Sequence, residues 1–521
     1  MPATPFTARA QSTQNDALDL KLVFGISLLL SLWLIISDPL INRDGIIYLR
    51  AAEAYLRDGL LASQAIFGRP LLSVGMGLLH QLTGLPLLYC GQLIITLSYA
   101  FLCCGFVAVI RELGANRSVQ IVAALVILTH PMLNEYRSSI MRDPPYWAAI
   151  IYAFLALLNY AKQPSLTKQC QWFALVLLAS TIRFEGLLYV ALAPLALYFC
   201  WSGEARLRHV LRLLALPAVS LLLVLAGLWL GQASVDTGTR LFPAISKHLQ
   251  GIASFPTEFG GIAKETGQAL LQFSAKDDAK TAAFAGLIAI LGLNLIRAMT
   301  WPYTALLGWY FWRGKQVILS RQSRYLLNAH LLIALAYLTL FTLGNRFMLE
   351  RYSGIFTLFM LPYLCFALYS LWQHGRGSAA RIVAVLLIVG MVADTLHNGN
   401  YRKAYVREAS EWLRDNTSDD IALLSNQRQL IYLSGKPYKW RRGKPIDDRF
   451  AVSRLLEAPL MHCGYDYMAI DVRPRAEADW RRFTRRFRLE EHEVFDGGKL
   501  GRIVIVDLRG RDAADDRCQR Q

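Results

Sequence analysis

The chain alternates between long apolar runs and short polar connections. A membrane span needs about 20 apolar residues, and the first such run extends from Leu20 to about Pro39. The polar segment before it is too long and mixed for a signal n-region. No small-x-small cleavage site follows, so the run is expected to be an uncleaved anchor. Further runs centre on 86–110, 118–133, 144–161, 171–184, 186–203, 212–231, 295–312, 325–343, 353–372 and 381–396. Hydropathy therefore predicts an α-helical polytopic membrane protein of about eleven transmembrane helices. The stretch 282–312 is too long for one helix and is interrupted by Asn294 and Arg297. It is expected to hold an interfacial or re-entrant piece followed by one span.

From about residue 397 the pattern changes. YRKAYVREASEWLRDN has the spacing of an amphipathic helix, while DIALLS, YDYMAIDV and GRIVIVDL read as strands. Residues 397–521 are thus expected to form a small α/β domain behind a transmembrane domain of residues 1–396. The first outer loop, at about 40–84, is expected to hold interfacial helices; in the first of them IIYLRAAEAYLRDG places Arg50, Glu53 and Arg57 on one helical face and Tyr48, Ala52 and Tyr55 on another.

Composition agrees with this division. Hydrophobic residues make up 54% and charged residues only 18% of the 521; the mean hydropathy is +0.32. A soluble domain carries roughly 25% charged residues, so an ordinary cytosolic enzyme and a disordered chain are both excluded. Fifty-five basic against 38 acidic residues leave +17. Part of that surplus sits in alternate loops: Arg111 and Arg117, Lys162 and Lys168, Arg206 to Arg212, Arg313 to Arg324, Arg376 and Arg381. Basic loops face the cytoplasm, which sets the N-terminus inside and, with an odd span count, the tail outside. The tail, with WRRFTRRFR at 480–488, then reads either as a plain solvated basic helix or as a face for anionic lipid headgroups, which fit an outer location better than nucleic acid does. Eight cysteines show no zinc spacing. Only Cys463 and Cys518 lie in the polar tail, where a disulfide between them is one option.

The same parity gathers a second set of residues on the outer face. It comprises Asp44 and Tyr48, Arg69, Glu135 with Arg142 and Asp143, Arg183 and Glu185, and Arg346, Glu350, Arg351 and Tyr352. Charged groups at membrane depth are costly and tend to mark function. Asp44 suits a helix N-cap and equally a general base. Asp143 either assists, binds a metal, or caps the helix beginning at Pro144. Arg351, Arg346, Arg69 and Arg142 are candidates for bidentate phosphate binding. Arg183 and Glu185, in a tight hairpin, either satisfy each other or contact sugar. Tyr48 and Tyr352 are candidate sugar or phosphate contacts. His130 reads as structural.

This layout resembles the GT-C membrane glycosyltransferases, in particular the bacterial family of lipid A aminoarabinose transferases and protein O-mannosyltransferase relatives. The resemblance rests on Asp44 with Tyr48 opening an interfacial helix after the first span, on Arg69-Pro70-Leu71-Leu72, on Arg142-Asp143-Pro144-Pro145-Tyr146, and on Arg351-Tyr352. It implies a GT-C fold with a periplasmic α/β tail in the bacterial inner membrane. It also implies inverting transfer from a polyprenyl-phosphate sugar donor to a glycolipid, polysaccharide or protein, and a lid formed by loop 232–281. Many members carry Asp-Glu where this chain has Asp44-Gly45, leaving one carboxylate rather than two for a divalent metal. No cofactor is legible. Two other readings compete: a lipid-linked sugar transporter or flippase, which predicts symmetric broken helices that the sequence lacks, and an oligosaccharide ligase or polymerase.

Overall fold

The computed structural model describes residues 17–38, 40–201, 205–231, 257–269, 271–313, 319–374, 378–397, 403–436, 440–441, 444–445 and 450–509. Most of the expected lid loop and Cys518 lie outside these residues. The helices of the first half are α1 (Leu20–Ile36), α2 (Arg43–Asp58), α3 (Leu60–Ile66), α4 (Leu71–Thr83), α5 (Leu87–Glu112), α6 (Arg117–Thr129), α7 (Pro131–Asn134), α8 (Asp143–Lys162), α9 (Leu166–Ile182), α10 (Gly186–Ala196) and α11 (Ala205–Gly231). They continue as α12 (257–269), α13 (Ala279–Met299), α14 (Trp301–Trp312), α15 (Arg321–Asn345), α16 (Gly354–His374) and α17 (Ser378–Leu396).

Five of these segments are each long and apolar enough to cross a membrane: Leu87–Glu112, Phe273–Met299, Arg321–Asn345, Glu350–Gln373 and Ala379–Leu396. Leu20–Ile36, Leu71–Thr83, Arg117–Thr129 and Gly186–Phe199 are apolar but shorter. The last of the five, α17, leaves Ile382, Val383, Val385, Leu386 and Val389 exposed. A helix that is apolar all round and uncovered fits a lipid environment. The 282–312 stretch differs from expectation. Asn294 and Arg297 lie within a continuous α13, and the break comes at Thr300, whose φ is +62°. Pro302 then sits in the first turn of α14, where a missing N–H costs nothing.

The chain forms two compact units. The first comprises residues up to Ser27, Ser98–Glu135 and Asp143–Thr395. Its core is aromatic: Trp147, Phe154, Tyr160, Trp172, Phe359 and Phe366 are fully buried. Phe154 meets Phe359 edge-on at 5.2 Å, and His330 packs on both rings, at 4.5 and 5.0 Å. Such edge and tilted arrangements suit ring quadrupoles and lock α8, α15 and α16 together.

The second unit comprises Leu28–Leu97, Tyr136–Arg142 and the chain from Leu396 onward. Its tail adds α18 (Ala404–Asn416), β1 (Leu423–Leu424), α19 (Arg428–Leu433), β2 (Trp440–Arg441), β3 (Lys444–Pro445), α20 (Ser453–Glu457), β4 (Tyr467–Val472), α21 (Glu477–Phe487), β5 (Glu493–Asp496) and β6 (Arg502–Asp507). The main sheet has the order β1-β4-β6-β5, with β1 parallel to β4 and the other pairs antiparallel. All six residues of β4 are buried, because the sheet is covered on both faces. Tyr405, Val406, Ala409 and Leu413 of α18 cover one face; Trp480 and Phe483 of α21 cover the other. The arginines of the 480–488 run, Arg481, Arg482, Arg485, Arg486 and Arg488, are exposed. Lys436, which looks idle in sequence, is buried and donates at 3.0 Å to the Thr417 and Ser418 carbonyls just beyond α18. Cys463 is disulfide-bonded, while among the described residues Cys90, Cys103, Cys104, Cys170, Cys200 and Cys365 form no disulfide.

Candidate active site

In the first unit, the tight connection between α9 and α10 delivers Arg183 and Glu185 side by side. Gly186 makes the turn possible: a Cβ there would lie 2.7 Å from the backbone of Ser180. Arg183 reaches across to α8 and donates from Nη1 to Asp143 Oδ1, the first residue of that helix. Its other edge grips Glu185, with Nη2 at 2.7 Å and Nε at 3.2 Å from Oε1. Tyr337 of α15 donates to the same Oε1 at 2.6 Å. The guanidinium lies 5.7 Å from the Tyr146 ring centre and 5.9 Å from that of Tyr352. Arg351 lies over Tyr352 from another direction, at 5.2 Å, and its Nη2 is 3.4 Å from the Tyr352 hydroxyl.

Asp143 and Arg183 are only 5% and 8% exposed, so this is a buried ion cluster with two carboxylates around one guanidinium. Burial by itself would push the Glu185 carboxyl up. Arg183, by charge and hydrogen bonds, and the Tyr337 hydroxyl overcome that and hold it down at about 2. Burial likewise disfavours the charged guanidinium, and the two carboxylates more than reverse it, keeping Arg183 firmly protonated. Glu185 Oε2 and the hydroxyls of Tyr146 and Tyr189 are buried with no hydrogen-bond partner among the described residues. Asp143 accepts from Arg183, which joins the residues that the sequence left divided between capping and chemistry. His130 is buried at the junction of α6 and α7, 6.3 Å from the Tyr303 ring. Arg346 is exposed and takes a left-handed conformation (φ +58°) at the end of α15.

In the second unit, α2 begins at Arg43. Asn42 is its N-cap residue and Asp44 the second helical position, half-buried. Asp44 is therefore not the cap that the sequence suggested. The Asn42 side chain forms a two-way bond with Ile140, donating to its carbonyl at 3.1 Å and accepting from its N–H at 2.9 Å. Tyr48 packs edge-on against Phe67 at 5.0 Å. Arg142 lies over the same Phe67 ring at 5.1 Å, two residues before the half-buried Arg69. Arg50 and Glu53 form the expected i,i+3 pair at 2.8 Å. Thus Asp143, Arg183, Glu185, Arg351 and Tyr352 gather in one unit, and Tyr48 and Arg142 meet at Phe67 in the other. Tyr337, Tyr146 and Tyr189 are not marked as site residues by the sequence; only the position of Tyr146 and Tyr189 just after the charged residues Asp143 and Glu185 could draw attention. Among the described residues no group of three or more His, Cys, Asp or Glu side chains could hold a metal ion.

No protein-family model matches the chain, and no curated protein is significantly similar to it. Solved structures show the fold: it is that of the GT-C membrane glycosyltransferases. ArnT from Cupriavidus metallidurans in the apo state aligns over 93% of this chain and 97% of its own, with a TM-score of 0.51 at 12% identity. The same protein bound to undecaprenyl phosphate aligns with equal coverage, a TM-score of 0.48 and 11% identity.

Proposed function

We propose that the chain transfers a sugar from a polyprenyl-phosphate-linked donor to an acceptor hydroxyl or phosphate, on a glycolipid such as lipid A, a polysaccharide or a protein. The observation that carries this reading is the buried Asp143–Arg183–Glu185 cluster within a GT-C fold. Maintaining such a cluster costs desolvation that packing alone would not demand.

In this reading transfer is a single inverting displacement. Asp44 takes the proton from the acceptor as its oxygen attacks the anomeric carbon. The bond from that carbon to the phosphate oxygen breaks, and the polyprenyl phosphate leaves with the electron pair. Arg351, Arg346, Arg69 and Arg142 are the guanidinium groups assigned to that growing charge. Arg183 is not among them. Both its edges are committed to carboxylates, so its role is to hold and aim Asp143. Glu185 and Tyr337 in turn orient Arg183. Tyr48 and Tyr352 are the aromatic residues assigned beside the sugar.

The reading places the N-terminus in the cytoplasm of a bacterium, the chain in its inner membrane, and residues 397–521 in the periplasm. The disulfide at Cys463 supports an oxidising compartment for the tail. The test is transfer by membranes carrying Asp44→Asn. Loss of a general base predicts a rate about 100-fold to 10,000-fold lower; unchanged transfer contradicts the assignment.

A further inference from the structure

The N-terminus of α2 has no side-chain cap of its own, because Asn42 is engaged with Ile140. Three consecutive residues of the tail hold it instead. Gln429 Nε2 donates to the Ile41 carbonyl at 2.9 Å, Arg428 Nη1 to the Arg43 carbonyl at 3.5 Å, and Gln427 Oε1 accepts from Arg43 Nη2 at 2.7 Å. The grip is anchored in the sheet. Gln427 Nε2 donates to Asp471 Oδ2 at 3.4 Å. Asn426 exchanges two bonds with the backbone of Asp471, at 2.8 and 3.1 Å. Asp471 belongs to the fully buried β4. The orientation of the Gln427 amide is unambiguous, since guanidinium can only donate and carboxylate only accept. Gln427 is itself 6% exposed, so both bonds run in a dry environment where they are strong and geometrically exacting.

We infer that Gln427 is a positioning residue for Asp44: the line Asp471–Gln427–Arg43 ties the first turn of α2, and with it the Asp44 carboxylate, to the central strand of the tail sheet. The tail thereby acts as a clamp on the reaction's base and not as a passive appendage. This rests on the assignment of Asp44 as base. Displacing a reacting group by about 1 Å can cost on the order of 100-fold in rate.

The test uses the full chain in detergent or membranes, with three variants. Gln427→Ala removes both bonds. Gln427→Glu keeps an acceptor for Arg43 but sets two carboxylates against each other. Gln427→Glu with Asp471→Asn reverses the polarity of the second bond and restores both. Hydrogen–deuterium exchange of amides 44–47 should quicken about tenfold in the single variants and return to the wild-type rate in the double variant. With the purified lipid-linked sugar fraction as varied substrate, kcat should fall about tenfold in the singles, with donor KM within twofold, and recover in the double. Wild-type exchange in the singles, or a double variant no better than Gln427→Glu, overturns the inference. Should Gln427→Ala fail to accumulate, the comparison of Gln427→Glu with the double variant decides alone. Asp44→Asn separates the two claims: if it transfers normally while exchange responds as expected, the base assignment fails and the clamp stands.

Discussion

Arg183→Ala is the most informative single perturbation of the buried cluster. In the wild type one guanidinium serves two carboxylates, with Asp143 5% exposed. Removing one partner of a buried pair typically costs about 3 to 5 kcal/mol, because the remaining charge stays uncompensated. The Glu185 carboxyl points the same way. Its drop from an ordinary 4.5 to about 2 corresponds to about 3 kcal/mol of stability at neutral pH. That stability is present above 4.5 and is lost only as pH falls toward 2. Without Arg183 the sign reverses. Burial, the largest influence on Glu185, then raises the folded-state value above the unfolded one. Stability is full below the unfolded value and declines as pH rises through the raised one. Fluorescence melting in detergent at pH 5 and pH 8 reads this directly. The variant should melt below the wild type at both, and lower at pH 8 than at pH 5. A variant that matches the wild type at both pH values would refute the idea that Arg183 compensates the buried carboxylates.

Two further expectations concern structure. Gly186→Ala pushes a methyl into the Ser180 backbone and should destabilise the α9–α10 turn by about 1 to 3 kcal/mol, lowering the melting midpoint and slowing transfer together. In the tail, Arg502 pairs with Glu477 and Glu491, at 3.0 and 2.6 Å, and both carboxyls are held below their ordinary range. For Glu491 the Arg502 hydrogen bond is the main cause; for Glu477 the pairing with Arg502 and Arg481 outweighs burial. Their contribution exists above about 4.5 and is lost on acidification, so tail melting should fall below that pH in the wild type and become flatter in Arg502→Gln.

How much could be read in advance depended on the range of the interaction. Apolar runs located the helices because burial in lipid is a property of composition over one turn after another. The strands at 467–472 and 502–507 were legible because each is a short apolar run buried on both faces. The edge strand Glu493–Asp496 was not: two of its four residues are acidic and most of it is exposed. Asn42 and Asp44 are equally good N-cap types, so the local pattern alone does not decide which of them precedes α2. The ion cluster was half visible. Arg183 and Glu185 are neighbours in sequence, but Asp143 lies 40 residues away and is brought in by the packing of α8 on α9. Tyr337 was hidden because one hydroxyl in an apolar helix looks like any buried aromatic. The clamp of 427–429 on 41–43 joins positions more than 380 residues apart, and no local pattern announces it.

The central claim is sugar transfer, and the most direct measurement is mass spectrometry of glycolipids, polysaccharide and glycoproteins from cells with the gene, without it, and complemented by Asp44→Asn. The account predicts that one class of acceptor loses a single sugar increment without the gene, that wild-type complementation restores it, and that Asp44→Asn does not. Identical glycan profiles in all of these cells would contradict it.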